Sequence, residues 1–318
     1  MKGHTDWVWG VVHLPAGQCI ITCSADGSLR LWDLQSGIQI GDNWYDDDED
    51  EGEEARVLSL ALSPNGTTVA SGTSDGAVKL WDVRTGGVVA KWTGHTDIVW
   101  QVCWSPDGER VMSRFSDGAV RVWDVKSNKI ACPIKACAQA VAYSPDGKNI
   151  ATGGQMDEYG VKIWDSKTGE LLFIIEHNPS DSTLTWMSDS QSSLDWILSV
   201  CSLTWTLDGK KLISGSSDGS IRIFNTATWQ LNAILEGHGR DTISALALSW
   251  NDCLLASASY DNTVRLWNLD ANLPIGPPLE HKYTVGCAAF SADGKQLVTG
   301  CEDDNAYVWD VVAILNKR

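Results

Sequence analysis

Apolar and polar residues alternate along much of this chain. Val78-Lys79-Leu80-Trp81 and Ile221-Arg222-Ile223-Phe224 have period two, the pattern of a strand with one buried face. Turn-forming segments separate such runs: Ser63-Pro64-Asn65-Gly66, Ser105-Pro106-Asp107-Gly108, Ser144-Pro145-Asp146-Gly147, Leu207-Asp208-Gly209 and Ala292-Asp293-Gly294. In the first three, proline sets φ early, and in all five glycine supplies φ > 0 later. Ser74-Asp75-Gly76 and Ser217-Asp218-Gly219 read as hairpin turns between the next two runs. No segment sustains a helical period, so the pattern predicts an all-β chain of short strands.

The strands come in repeats. Trp-Asp or a close variant stands at Trp32-Asp33, Trp81-Asp82, Trp123-Asp124, Trp164-Asp165, Phe224-Asn225, Trp267-Asn268 and Trp309-Asp310, with spacings of 49, 42, 41, 60, 43 and 42. Two further columns hold the register. Six residues before the aromatic stand Asp26, Asp75, Asp117, Asp218, Asp261 and Asp303; ten before it stand Thr22, Ser71, Ser113, Ser214, Ser257 and Thr299. The fourth repeat slips: Thr152 takes the hydroxyl place if two residues are inserted, and Asp157 or Glu158 the acid. Further upstream come Gly3-His4, Gly94-His95, Gly237-His238 and Glu280-His281. Seven units of four short strands each predict a seven-bladed β-propeller with antiparallel blades.

This organisation resembles the WD40-repeat family over essentially the whole chain, 1–318, and is similar to fungal WD40-repeat proteins, including the propellers attached to NACHT-type intracellular receptors. The resemblance implies a buried hydrogen-bonded tetrad in each blade. Its complete sets here are His4–Thr22–Asp26–Trp32, His95–Ser113–Asp117–Trp123, His238–Ser257–Asp261–Trp267 and His281–Thr299–Asp303–Trp309. Indole donates, hydroxyl and imidazole each donate and accept, and carboxylate accepts, so four in a row leave no orphan in a dry blade.

The second, fourth and fifth blades are expected to be less tightly capped. Glu53 or a neighbour stands where repeat two needs histidine, Ile134 stands there in repeat four, and in repeat five His177 precedes an insertion over 178–199 while Phe224 has no N–H. Family propellers staple the ring with an N-terminal strand. Only Met1-Lys2 precede the first Gly-His, so the tail Val311–Asn316 is the candidate outer strand of the last blade. An incomplete closing blade with a weak seam, or a chain shortened at its N-terminus, follows as the expectation.

Composition narrows the function. Lys and Arg number 24 against 41 Asp and Glu, a net charge of −17, which argues against direct nucleic-acid binding. Eight of those negative charges lie in the run Asp46–Glu54. It reads as a solvated loop, with docking of a basic partner as the functional alternative. No apolar run reaches the ~18 residues of a membrane span and no signal-peptide core opens the chain, so a cytoplasmic or nuclear monomer is expected. The nine cysteines show no C-x-x-C pair and read as buried reduced thiols. The insertion 178–199, with Trp186 and Trp196, reads either as a binding loop or as a retained intron in the gene.

Catalytic motifs are weak. Gly72-Thr73-Ser74-Asp75-Gly76 and Gly215-Ser216-Ser217-Asp218-Gly219 match G-x-S-x-G, but a nucleophile elbow needs a following helix, and both are repeat hairpins. Of six histidines four fall in tetrads, which leaves no metal-ligand spacing. No cofactor and no metal are expected. A propeller enzyme would need a polar catalytic cluster at the channel mouth.

The family resemblance implies instead a partner, protein or peptide, held on the face where the inner strands begin. Carried over by offset, one loop set supplies Trp7, Trp9, Arg56, Leu58, Ile98, Trp100, Thr284 and Gly286. The other supplies Ala25, Ser74, Ser116, Ser217, Tyr260 and Glu302. Trp7, Trp9, Arg56, Ile98, Trp100 and Tyr260 are the candidate contacts. Tryptophan, tyrosine and arginine are the usual anchors of interface energy. A non-catalytic scaffold is the leading expectation, and the ligand-sensing propeller of a NACHT-type receptor the alternative.

Overall fold

Each repeat folds into its own antiparallel sheet in the computed structural model, which describes all residues except 16, 47–54, 94–96, 117–118, 135, 155–159, 176–198 and 317–318. His95, Asp117, Asp157, Glu158, His177, Glu53, all but Asp46 of the acidic run and all but Ser199 of the insertion therefore lie outside the described residues.

Blade one holds β1 (Val8–His13), β2 (Cys19–Ser24) and β3 (Leu29–Asp33). Blade two holds β4 (Val57–Leu62), β5 (Thr68–Thr73), β6 (Val78–Asp82) and β7 (Val88–Trp92). Blade three holds β8 (Val99–Trp104), β9 (Arg110–Phe115), β10 (Val120–Asp124) and β11 (Lys129–Ile134). Blade four holds β12 (Ala138–Tyr143), β13 (Asn149–Gly154), β14 (Val161–Asp165) and β15 (Leu171–Ile175). Blade five holds β16 (Val200–Trp205), β17 (Lys211–Ser216), β18 (Ser220–Asn225) and β19 (Leu231–Glu236). Blade six holds β20 (Ile243–Leu248), β21 (Leu254–Ser259), β22 (Thr263–Asn268) and β23 (Leu273–Glu280). Blade seven holds β24 (Val285–Phe290), β25 (Gln296–Cys301) and β26 (Ala306–Asp310).

The inner strands β1, β4, β8, β12, β16, β20 and β24 each touch the next, and β24 touches β1, so the blades form a ring. Second strands are almost wholly buried: the pattern in β2, β5, β13, β17, β21 and β25 is one partly exposed residue followed by five buried ones. The core therefore lies between neighbouring blades. Sidedness comes from the turns. Ser63 Oγ donates to Asn65 Oδ1 at 2.7 Å and accepts from Thr68 N at 3.0 Å, and Gly66 follows at φ +72. The same lock recurs at Ser105–Asp107, Ser144–Asp146, Thr206–Asp208, Ser249–Asn251 and Ser291–Asp293.

Two blades depart from four regular strands. In blade one the outer element is reduced to isolated bridges, Leu29 with Trp44 and Trp32 with Gln39. In blade seven the tail does not form the outer strand expected of it. Val311–Leu315 is a short helix, α1, whose first turn is capped by Asp310 Oδ1 accepting from Ala313 N at 2.9 Å. The side chains explain the choice: Val311, Ile314 and Leu315 pack into the core cluster shared by blades six and seven, which a strand along β26 would not reach. Asp310→Ala is expected to speed amide exchange at Ala313 and cost about 1 kcal/mol; exchange unchanged from the parent refutes the cap.

What lies against β26 is the other end of the chain. Lys2 bridges Asn305, the Met1 amine donates to Ala306 O at 2.6 Å, and Ala306 N donates to Met1 O at 3.3 Å. Trp309 is only partly buried in consequence, whereas Trp32, Trp81, Trp123 and Trp267 are each at most 3% exposed.

Candidate functional site

The tetrads set how rigidly each blade presents its loops. In blade one Trp32 Nε1 donates to Thr22 Oγ1 (2.8 Å), Thr22 donates to His4 Nε2 (2.7 Å) and His4 Nδ1 donates to Asp26 Oδ2 (2.8 Å). Blade six repeats this with Trp267, Ser257, His238 and Asp261 at 2.8, 2.7 and 2.8 Å. The network assigns the tautomer: Nδ1 carries the proton and Nε2 accepts. Burial alone would push the Asp26 carboxyl up, but the bonds from His4 and Ser28 outweigh it and hold that carboxyl well below the usual range. The same balance of burial against bonds from His238 and Thr263 holds the Asp261 carboxyl down.

The remaining blades vary. In blade three Trp123 donates to Ser113 Oγ at 2.7 Å. In blade four Trp164 donates to Thr152 Oγ1 at 2.9 Å, across the two-residue slip. In blade two Trp81 donates to Ser71 Oγ at 2.9 Å, and the buried Lys79 pairs with Asp46 at 2.8 Å, so the start of the acidic run is built into this blade. In blade five Ser214 Oγ is buried with no partner among the described residues, and Phe224 has no N–H to offer it.

Blade seven differs from its expected set. Trp309 donates to Thr299 (3.1 Å) and Thr299 bonds His281 Nε2 (2.8 Å), but His281 Nδ1 donates to Leu279 O at 3.0 Å and makes no bond to Asp303. Tyr307 takes that place: its hydroxyl donates to Asp303 Oδ2 and its ring packs edge-on against His281. Burial and this bond to Asp303 push the Tyr307 phenol up to about 12.

The two loop sets meet through one recurring backbone bond. Ala25 N donates to Trp7 O (2.9 Å), Ser74 N to Arg56 O (2.9 Å) and Ser116 N to Ile98 O (3.1 Å). Ser217 N donates to Ser199 O (2.9 Å), Tyr260 N to Thr242 O (3.0 Å) and Glu302 N to Thr284 O (3.0 Å). One residue further along each inner strand the register shifts. The residue skipped by the pairing is Trp9, Leu58, Trp100, Gln139, Cys201, Ser244 and Gly286 in turn. A bulge re-aims its side chain and ends local pairing, so every blade presents one such residue at the start of its inner strand.

At this mouth three indoles outside the tetrads gather. Trp7, 42% exposed, lies 5.5 Å from Trp9, and Trp9 meets Trp100 edge-on at 6.2 Å. Trp100 Nε1 donates to Ser116 Oγ at 2.8 Å, which fixes its ring against its own blade's turn. Arg56 is exposed and Ile98 partly buried. Leu58 is a core residue, 7% exposed, rather than a rim residue. Tyr260, 50% exposed, stands apart from the indoles, within electrostatic reach of Cys201 and Glu302.

Gln139, Cys201, Ser244 and Arg114 belong to the mouth and do not figure among the residues expected from sequence. Gln139, Cys201 and Ser244 were legible only by extending the offset to blades whose Gly-His is missing or displaced by one residue. Burial pushes the Cys201 thiol up to about 11 and those of Cys103 and Cys287 up to about 12, which makes them poor nucleophiles at neutral pH. Among the described residues no three His, Cys, Asp or Glu side chains converge as a metal site, and no helix is long and apolar enough to cross a membrane. Two clefts, of about 620 and 460 Å³, lie away from the mouth, one around Trp44 and Gly86 and the other around Trp205 and Trp229.

Comparison with known proteins matches the geometry repeat by repeat. The family model for the WD domain, G-beta repeat, fits residues 1–33, 49–82, 86–124, 132–165, 191–225, 229–268 and 278–310. The chain is 31% identical to Periodic tryptophan protein 2 of Arabidopsis thaliana over 198 residues, 54% of the chain and 22% of that protein. It is 22% identical to Apoptotic protease-activating factor 1 of Rattus norvegicus over 98% of the chain and 22% of that protein. It is 29% identical to Nuclear distribution protein nudF of Aspergillus niger over 54% of the chain and 35% of that protein. The chain thus spans about a fifth to a third of the length of these relatives.

Proposed function

The chain belongs to the WD40-repeat family, a propeller fold used as a protein-interaction scaffold, and on that premise we propose that it holds a protein or peptide on the face where its inner strands begin. The observation that carries this reading is the cluster of Trp7, Trp9 and Trp100 at the channel mouth. These rings serve no tetrad; Trp7 is exposed and Trp9 and Trp100 are partly buried, and apolar area left open to solvent is costly unless something covers it. The scaffold is non-catalytic. All nine cysteines are unpaired, which favours a reducing compartment, the cytoplasm.

The test is a peptide selection on the purified protein, with recovered peptides re-measured by calorimetry. Trp9→Ala and Trp100→Ala are each expected to weaken binding about tenfold, or ~1.4 kcal/mol, with the thermal midpoint kept. Unchanged affinity in both variants removes the mouth from consideration. A second reading, the ligand-sensing propeller of a larger NACHT-type receptor, draws on the relative in which a match over 98% of this chain is 22% of the protein. An in-frame stop codon directly upstream of Met1 in the transcript sinks it.

A further inference from the structure

We propose that the mouth carries an anion subsite centred on Arg114, which takes a carboxylate of the bound peptide; this rests on the reading above and names the ligand class. The starting observation is a column of small residues. Opposite the third residue of each inner strand, the second strand carries Cys23, Gly72, Gly153, Gly215, Ala258 or Gly300 in six blades. The reason is contact with the next blade. A Cβ added to Gly72 would lie 2.6 Å from Val99, on Gly153 2.6 Å from Val200, on Gly215 2.5 Å from Ile243 and on Gly300 2.8 Å from Val8.

In blade three the same position is Arg114. Room for it comes from the facing inner strand. The other inner strands begin with Val8, Val57, Val99, Val200, Ile243 and Val285, whereas β12 begins with Ala138. The large–small pair is inverted at this one junction. That inversion settles volume but not charge. A methionine or leucine would fill the same space with no polar group to satisfy.

Arg114 is poorly satisfied where it lies. Nη1 reaches Ala138 O at a long 3.4 Å, and Nε is buried with no partner among the described residues. No carboxylate among the described residues pairs with it. By contrast Arg30, Lys79 and Arg222 each face a carboxylate, at 3.7, 2.8 and 3.1 Å. Burial pulls the guanidinium down to about 10, against the opposing influence of Cys201, so it stays charged at neutral pH. A partly buried cation with no anion among the described residues is destabilising, and in a chain of net charge −17 acidic side chains to pair it were plentiful.

Its neighbours place it at the mouth. Ala138 O, its acceptor, opens β12; Gln139 is the bulged residue next to it, and Cys201 Sγ donates to Gln139 Oε1 at 3.4 Å. The mouth therefore carries indoles from blades one and three, and, where blade three meets blade four, Arg114 with Gln139 and Cys201 beyond it. A segment with an aromatic or aliphatic residue near an aspartate, a glutamate or a free C-terminus would engage both. A carboxylate is favoured over a phosphoryl group, because the protein's negative field repels a dianion more than a monoanion.

The test uses three probes on the full chain: a blocked Phe-Ala-Glu tripeptide, its Phe-Ala-Gln counterpart and inorganic phosphate. The readout is the side-chain Nε–H resonance of Arg114, assigned by its loss in Arg114→Gln, with affinities taken from the titrations. The Glu peptide should shift that resonance and bind about tenfold more tightly than the Gln peptide, with the difference shrinking as salt rises. Arg114→Gln and the apolar Arg114→Met, the latter a check that folding is kept, should abolish the difference. Arg114→Lys should restore part of it. Equal affinity of the two peptides, no shift up to millimolar peptide, or phosphate binding more tightly than the Glu peptide each overturns the proposal. If Trp9→Ala weakens both peptides while Arg114→Gln weakens neither, the mouth still binds and only the anion subsite fails. If Trp9→Ala weakens neither, the mouth reading itself fails.

Discussion

Ser257→Ala is expected to destabilise the protein by about 2–3 kcal/mol, while the equivalent change one blade earlier, Ser214→Ala, is neutral or stabilises by up to about 1 kcal/mol. The two serines occupy one column and both are fully buried. Ser257 Oγ accepts from Trp267 Nε1 at 2.8 Å and donates to His238 Nε2 at 2.7 Å. Truncating it strands an indole N–H and an imidazole nitrogen in a dry blade. His238 remains tied to Asp261, so the ring cannot swing out to find water. Ser214 has no partner among the described residues, and its hydroxyl already bears the cost of an unmade bond. Replacing it with a methyl group removes that cost with almost no change of volume. Urea denaturation of both variants, with amide exchange in β17 and β21 to localise the effect, decides the matter. Equal losses would mean that the hydroxyl column contributes through backbone or packing rather than through the tetrad.

Acid should weaken the seam of the ring. His13 Nε2 donates to Ala289 O at 3.2 Å, joining β1 of the first blade to β24 of the last, while its Nδ1 is buried with no partner among the described residues. Desolvation lowers its pKa to about 4, against the raising influence of Ala289 O and Asp293. Below its unfolded value of 6.5 the unfolded chain binds a proton that the folded chain refuses. Stability is therefore complete above pH 6.5 and falls as pH drops from there toward 4, by about 2–3 kcal/mol from this one residue. The lowered carboxyls of Asp26 and Asp261 act in a separate window: their contribution is present above the ordinary carboxylate pKa and is lost only below it. His13→Leu isolates the effect, since Leu62 and Leu248 fill the same position in blades two and six. The variant should show a shallower fall in thermal midpoint between pH 7.5 and 5 than the parent, the remainder coming from His281, whose burial also lowers its pKa. A parallel fall in both would assign the acid sensitivity elsewhere.

Features confined to one repeat were legible from sequence. The hairpins follow from turn chemistry, and their tight register places a hydroxyl ten residues from a tryptophan directly beneath its indole. Legibility ended where a second residue competes for the same atom. Tyr307 takes Asp303 from His281, and nothing in the column of acids marks that exchange. It ended again where a pattern is ambiguous in itself. Val311-Val312-Ala313-Ile314-Leu315 suits a strand as well as a helix, and only the core cluster it packs into selects the helix.

The mouth divides in the same way. Trp7 and Trp9 are neighbours in sequence, but Trp100 joins them from two blades away. Arg114 is unremarkable in its own strand, and its meaning depends on Ala138 across the junction. By itself, then, the sequence determined the number of blades, the hairpins and the tryptophan-to-hydroxyl bond of six of them, because those contacts are short-range and recur from repeat to repeat. Only the tertiary structure decided which indoles meet, which junction inverts its large and small residues, and that a histidine closes the ring. Those contacts lie between blades, where the angle and offset of two sheets, and not the register within one, set which side chains touch.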